Sequence, residues 1–122
     1  ASGVKQWHYP WGDRFDGSYA KFCDRQCQLE NRDDTYNDGY EQVAKITRFD
    51  TGASWVGALN MSGNVAEWTQ PGDTTLEMAE VRGGSWASDK ESITTTYSEW
   101  INTNYVSDRI GFRCVMDSAG AN

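Results

Sequence analysis

No stretch of this sequence holds a helical hydrophobic period for long, and twelve glycines punctuate its short aromatic runs. Glycine loses more conformational freedom on ordering than any other residue and marks turns. A chain interrupted this often favours loops and short strands over long helices. The best strand candidates are "EVRGGSW" and "RIGFRCVM", both rich in β-favouring residues. A helix is expected only around Ser18 to Phe22. No internal repeat, low-complexity tract or linker divides the chain. The expectation is one α+β domain over residues 1–122, loop-rich, with short antiparallel strands.

Six Trp, six Tyr and four Phe among 122 residues supply enough apolar surface for one modest core. The formal charge of -7, with no Lys/Arg cluster, repels phosphate backbones and makes nucleic acid and anionic membrane poor partners. The longest apolar stretches, such as "WVGAL", fall far short of a membrane span, and "ASGVKQW" contains no signal-peptide core. A start at Ala1 implies that the chain was processed or is a piece of a longer one.

Cys23 and Cys27 stand in "FCDRQC", and Cys114 is the third cysteine. A zinc tetrad would need all three thiolates and the distant His8, so zinc is not favoured. A disulfide across the Cys23–Cys27 turn, worth about 2 kcal/mol by loop entropy, competes with two reduced, half-buried thiols. Either way Cys114 is left over, which points to a partner outside these residues. His8 lies between Trp7 and Tyr9 with nothing nearby to orient it as a base, and no nucleophile elbow, phosphate loop, dinucleotide fingerprint or zincin motif occurs.

Two stretches raise metal questions. "NRDDTYNDGY" concentrates Asp33, Asp34 and Asp38 beside Gly39. Read as an EF-hand from Asp34, it places Tyr36 third and Lys45 twelfth, where a bidentate Glu is required, so that motif fails. A solvated acidic loop and an oxygen site built on Asp38 both stay open. In "LNMSGNVAEW", residues 59–68, Asn60-Met61-Ser62 reads as a glycan acceptor, an ordinary turn or part of a metal site.

The ordered set "YPWGD", "FCDRQC", "NDGY", "GASWVGALNMSGNVAEW", "VRGGSW" and "RIGFRCV" resembles the formylglycine-generating enzyme (sulfatase-modifying factor) domain, a variant of the C-type lectin-like fold. The resemblance runs from Tyr9 to about Met116 and covers the C-terminal part of a family domain, without the half that normally precedes it. A missing N-terminal half or a second chain is therefore an expected partner.

The resemblance implies a calcium loop at "NMSGNVAEW". Asn60 falls on the side-chain ligand, Met61, Gly63 and Val65 on carbonyl ligands, and Glu67 adds a carboxylate. Gly63 permits the curvature that aims carbonyls inward, and calcium accepts six to eight oxygens. A glycan fits Asn60 poorly, because "WVGAL" and Trp68 should pack the segment against the core. A second, weaker calcium site would use Asp38 and the carbonyls of Phe22 and Tyr40. Lys21 stands there in place of an Asn ligand, so either the ion binds more weakly or the ammonium supplies the charge itself.

Catalytic members hold copper(I) with two cysteines shortly after "GGSW". The matching positions here are Ser88 and Ile93, and hydroxyl and alkyl groups do not suit that ion. The arginines common a few residues on are also replaced, around Thr94 and Ser98. Sulfoxide-synthase relatives use iron held by several histidines, which one histidine cannot supply. No copper is expected.

The resemblance therefore implies a noncatalytic module binding a protein or glycan ligand, extracellular, periplasmic or at a cell surface. The alternative is an oxidase fragment whose metal ligands come from another chain. Residues 88–108, "SDKESITTTYSEWINTNYVSD", are dense in hydroxyl, amide and aromatic side chains of the kind that recognition loops use. Their composition is also compatible with the variable proteins of diversity-generating retroelements. Tyr97, Trp100 and Tyr105 are the expected anchors, with Thr96, Asn102 and Asn104 as hydrogen-bonding contacts, although Trp100 equally suits a core position. Trp86 and Phe112 should be buried on either side, with Gly111 allowing close backbone approach.

Overall fold

The computed structural model describes residues 5–69 and 77–116; the start at Ala1 lies outside them. Within these residues the chain forms two single 3-10 turns, Gly17–Tyr19 and Asp50–Gly52, and four strands. The strands are β1 (Ala66–Trp68), β2 (Met78–Arg82), β3 (Ser98–Asn102) and β4 (Ile110–Gly111), in the sheet order β3-β2-β1-β4. The result is a small mixed sheet on a loop-rich body, compatible with the α+β expectation.

The strands are not all antiparallel. β2 runs antiparallel to both β1 and β3, whereas β4 pairs parallel to β1, with Ala66 opposite Ile110. A parallel neighbour cannot be reached by a tight hairpin. Residues 103–109 therefore carry the chain from one edge of the sheet to the other.

Local chemistry explains the other departures. Ser18 to Phe22 does not form a helix, because only Gly17–Tyr19 turns, under a cap in which Ser18 N–H donates to Asp16 Oδ1 at 2.9 Å. Beyond it the backbone straightens, and Lys21 bridges in parallel to Gly63. β2 begins before "EVRGGSW" and ends at Arg82, since Gly83 and Gly84 both adopt positive φ. Trp86 is buried as expected, at 6% exposure, but in the turn after β2. β4 stops at Gly111, so Phe112 leaves the sheet uncovered and is 78% exposed, against the expectation of burial. Gly111 does sit close to its neighbour, because an added Cβ would lie 3.1 Å from Val65.

The core gathers on the loop side of the molecule. Tyr9, Ala20, Phe22 and Ile93 form its buried centre, with Trp11, Phe15 and Tyr36 packed against it. Tyr9 stacks on Trp11 at 5.2 Å, and Phe15 meets Phe22 edge-on at 5.3 Å, the offset and T-shaped contacts that aromatic quadrupoles favour. The N-terminal strip is fastened to the segment after β2: Thr95 N–H donates to His8 O, its hydroxyl donates to Trp7 O, and the Tyr9 hydroxyl donates to Lys90 O.

Gly63 is a tight joint between the loop side and the segment leading into the sheet. Its φ is +74°, and a Cβ there would lie 2.0 Å from the Lys21 carbonyl oxygen. Gly63→Ala should destabilise the chain by more than about 1 kcal/mol, since both the backbone conformation and the space exclude a side chain. Urea denaturation checks this, and an unchanged midpoint would show that the joint is not closed in solution.

Candidate functional site

The inner face of the sheet floors a cavity of about 470 Å³. Ala66, Val81, Ile101 and Ile110 supply the apolar floor. Ser85 and Ser88 line one side, from the turn after β2, while Tyr105 and Arg109 arrive on the crossing segment. The walls are fixed by short-range bonds. Ser88 Oγ accepts from Ser85 N–H at 2.9 Å, and Ser107 Oγ accepts from Arg109 N–H at 3.1 Å. The Arg109 guanidinium lies 5.1 Å from the Trp86 ring centroid, within cation–π range, and the Trp86 indole N–H donates to Asp108 O at 3.4 Å. Buried Trp86 thus anchors the far end of the crossing segment.

Ser88 and Ile93, the positions where the resemblance expects copper cysteines, meet at one point. A Cβ on Gly84 would touch Ile93 Cγ2 at 2.8 Å and Ser88 Oγ at 3.1 Å. Ile93 has no exposure and belongs to the core, so methyl groups fill what would be a ligand position. One hydroxyl and one alkyl chain offer no soft donor there.

The expected recognition residues divide. Tyr97 and Tyr105 line the cavity. Trp100 does not. It lies within β3 opposite Glu80, and strand alternation puts that pair on the outer face, away from Val81 and Ile101. It is 57% exposed, which removes the core alternative. Thr96, Asn102 and Asn104 are exposed outside the cavity, with Asn102 Oδ1 accepting from Asn104 N–H at 2.9 Å. The segment expected to be loop throughout contains β3, because Ser98 to Asn102 finds a complete antiparallel partner in β2. Glu99 and Arg109 were missed. Their role depends on register and on Trp86, neither of which short-range sequence pattern reveals.

Two nests of oxygen atoms flank the joint at Gly63. In the first, Lys21 has no exposure, and its ammonium donates to Tyr40 O at 2.7 Å and Phe22 O at 3.2 Å. It also lies 3.4 Å from Asp24 Oδ1 and 3.2 Å from Asp38 Oδ2. The oxygens expected of the weaker calcium site, from Phe22, Asp38 and Tyr40, are thus brought together around an ammonium. Burial pushes the Asp38 carboxyl up, against the opposing pull of Tyr40 N–H and Lys21. The rest of the acidic loop is solvated or locally capped: Asp34 pairs with Arg32, and Asp33 accepts from Thr35.

The second nest is the "NMSGNVAEW" loop, coiled by positive φ at Asn60, Gly63 and Asn64. Asn60 Nδ2 donates to Ile46 O at 2.6 Å, which turns its Oδ1 inward, where that oxygen is buried without a hydrogen-bond partner. Glu67 is held by Arg113, at 2.5 Å from Nε and 2.6 Å from Nη2, and Nη2 also reaches the carbonyls of Leu59 and Asn60. The Glu67 carboxylate holds the Arg113 guanidinium above its usual value. Ser62 is buried and donates to Ile93 O at 2.6 Å, so the Asn60-Met61-Ser62 stretch is folded inward, an awkward setting for a glycan. Cys23 and Cys27 form a disulfide, and Cys114 is free and exposed. Among the described residues no three His, Cys, Asp or Glu side chains gather as a metal cluster, and no helix is long and apolar enough to cross a membrane.

The sulfatase-modifying factor enzyme 1-like domain family matches residues 1–118. The chain belongs to this family. It is also 30% identical over 129 aligned positions to a Mus musculus protein named inactive C-alpha-formylglycine-generating enzyme 2. That alignment covers 97% of this chain but only 39% of the relative's length. In this sulfatase-modifying factor domain Ser88 lines the cavity, while Ile93 lies in the core.

At the cavity mouth Tyr97 donates its hydroxyl to Glu99. That hydrogen bond, aided by burial and the Glu99 charge, holds the Tyr97 phenol above the usual tyrosine value. The stabilisation is therefore fully present below the ordinary tyrosine range and is lost as pH rises through the raised folded value. Glu99→Gln should move Tyr97 ionisation to lower pH, read from the tyrosine Cζ resonance by NMR. An unchanged titration would mean that the pair does not form.

Proposed function

We propose that this chain is a noncatalytic binding module with a C-type lectin-like fold, using the cavity on the inner sheet face to hold a protein or glycan ligand. The observation that carries this reading is the Gly84 contact point, where Ser88 Oγ and Ile93 Cγ2 stand instead of two thiolates. The name of the mouse relative, which calls it inactive, supports it. The cavity itself, an apolar floor rimmed by tyrosines, hydroxyls and the charged Asp89, Glu99 and Arg109, has the make-up of a ligand pocket. Exchange of residues on the crossing segment would alter the ligand without touching the core, which is compatible with a diversified family member.

The Cys23–Cys27 disulfide favours an extracellular, periplasmic or cell-surface setting. Phe112, Val115 and Met116 are 78%, 94% and 92% exposed beside free Cys114. This apolar strip supports a further part of the domain, or a second chain, packing there.

The noncatalytic reading makes a prediction that separates it from an oxidase. Supplied with copper(I), oxygen and a cysteine peptide, the chain should form no aldehyde product detectable by mass spectrometry. Aldehyde formation would overturn the noncatalytic reading.

We propose calcium as the ligand of the second nest. The orphaned Asn60 Oδ1 offers a buried hard oxygen, with Met61, Gly63 and Val65 carbonyls in the same coil and the Glu67 carboxylate, shared with Arg113, at its end. A carboxylate has lone pairs for both a guanidinium and an ion. With calcium at a hundred times its dissociation constant, binding to the folded state contributes about 2.7 kcal/mol. Chelation should lower the melting temperature, and Asn60→Ala should remove most of that response. A melting curve indifferent to chelator would leave the loop as a plain turn.

A further inference from the structure

Lys21 is the most completely buried charged side chain described, and its surroundings are not those of an ordinary ion pair. Five oxygen atoms converge on Nζ: the carbonyls of Phe22 and Tyr40, Asp24 Oδ1, and both oxygens of Asp38. Side-chain exposure is 0% for Lys21, 1% for Asp24 and 7% for Asp38, and Asp38 Oδ2 makes no hydrogen bond. Two carboxylates facing one ammonium leave negative charge uncompensated. Hard carbonyl and carboxylate oxygens are the donors of a divalent cation, and these five are one short of the six at which calcium coordination begins.

We infer that the Lys21 ammonium is a built-in replacement for a divalent cation, fixing the 22–40 loop without metal. A calcium ion does not fit beside it, because a +2 ion among the same five oxygens would meet the ammonium at contact distance. The loop is closed through this point. Asp24 Oδ2 accepts from Asp38 N–H at 2.6 Å, Asp38 Oδ1 accepts from Tyr40 N–H at 2.8 Å, and Asp33 N–H donates to Cys23 O at 2.8 Å. Cys23 N–H in turn donates to Ser88 O, and Asn31 Nδ2 to Ala87 O, so the ammonium also steadies one wall of the cavity.

The nest should accept the ion once the lysine is shortened to an oxygen ligand. An Asn amide oxygen followed by a Ca–O bond of about 2.4 Å spans nearly the reach of the lysine chain, so the ion would lie where Nζ now sits. The test reads a difference in calcium stoichiometry, which keeps it separate from the site proposed at Asn60. Lys21→Asn should bind one more equivalent of calcium than the unaltered chain by isothermal titration, and its melting temperature should fall by about 10 °C or more in chelator and recover with calcium. An Asn variant that folds and binds no additional calcium overturns the inference. Should that variant fail to fold, acetylation of the unaltered chain decides. Exposed Lys5, Lys45 and Lys90 should react while Lys21 stays protected, with and without millimolar calcium. Reaction of Lys21 at the rate of the others, or its release by calcium, overturns the inference as well.

Discussion

One buried residue, Lys21, fastens the 22–40 loop to the segment that leads into β1. The carbonyl of Lys21 accepts from Asn64 N–H at 2.7 Å, while its Nζ holds Tyr40 O at the same distance. Main chain and side chain of one residue thus fasten two different loops. The arrangement is strongly constrained because a charge removed from water is tolerated only when its partners are correctly placed. Phe22 and Cys23 follow directly, one entering the aromatic core and the other bonding to Ser88.

The cavity has a topological cause. Because β4 lies on the far side of β1 from β2 and runs parallel to it, the chain between β3 and β4 has to pass over a sheet face. Tyr105, Ser107 and Arg109 are deposited above that face as it passes. The apolar floor remains partly uncovered because seven residues can bridge the sheet but cannot carpet it. Ser88 lines this hollow, and Ile93 lies buried in the core next to it.

Much of this was legible in the sequence. The six ordered motifs identified the family, and glycine spacing indicated loops. Burial of Trp86 followed from its place after two glycines. The misreadings share a cause. β3 was hidden because its hydroxyl and amide residues resemble a recognition loop until β2 supplies a partner. Phe112 looked like a core residue because its motif is apolar, yet β4 ends one residue before it. Trp100 could not be assigned to a face without register, and Glu99 and Arg109 acquire meaning only when distant strands are brought together. Composition reports what a segment can bury; pairing decides what it does bury.

The disulfide places an order on events. Cys23 and Cys27 have no solvent exposure in the folded chain, and thiol–disulfide exchange needs an attacking thiolate to reach a sulfur atom. Oxidation therefore belongs to a stage when the turn is still open, before Phe22 enters the core and Lys21 draws the 22–40 loop shut. After closure the same walls exclude reductants. A disulfide that adds little stability by loop entropy, enclosing only a short turn, thereby becomes long-lived through inaccessibility, and the history of the chain's oxidation is sealed inside its fold.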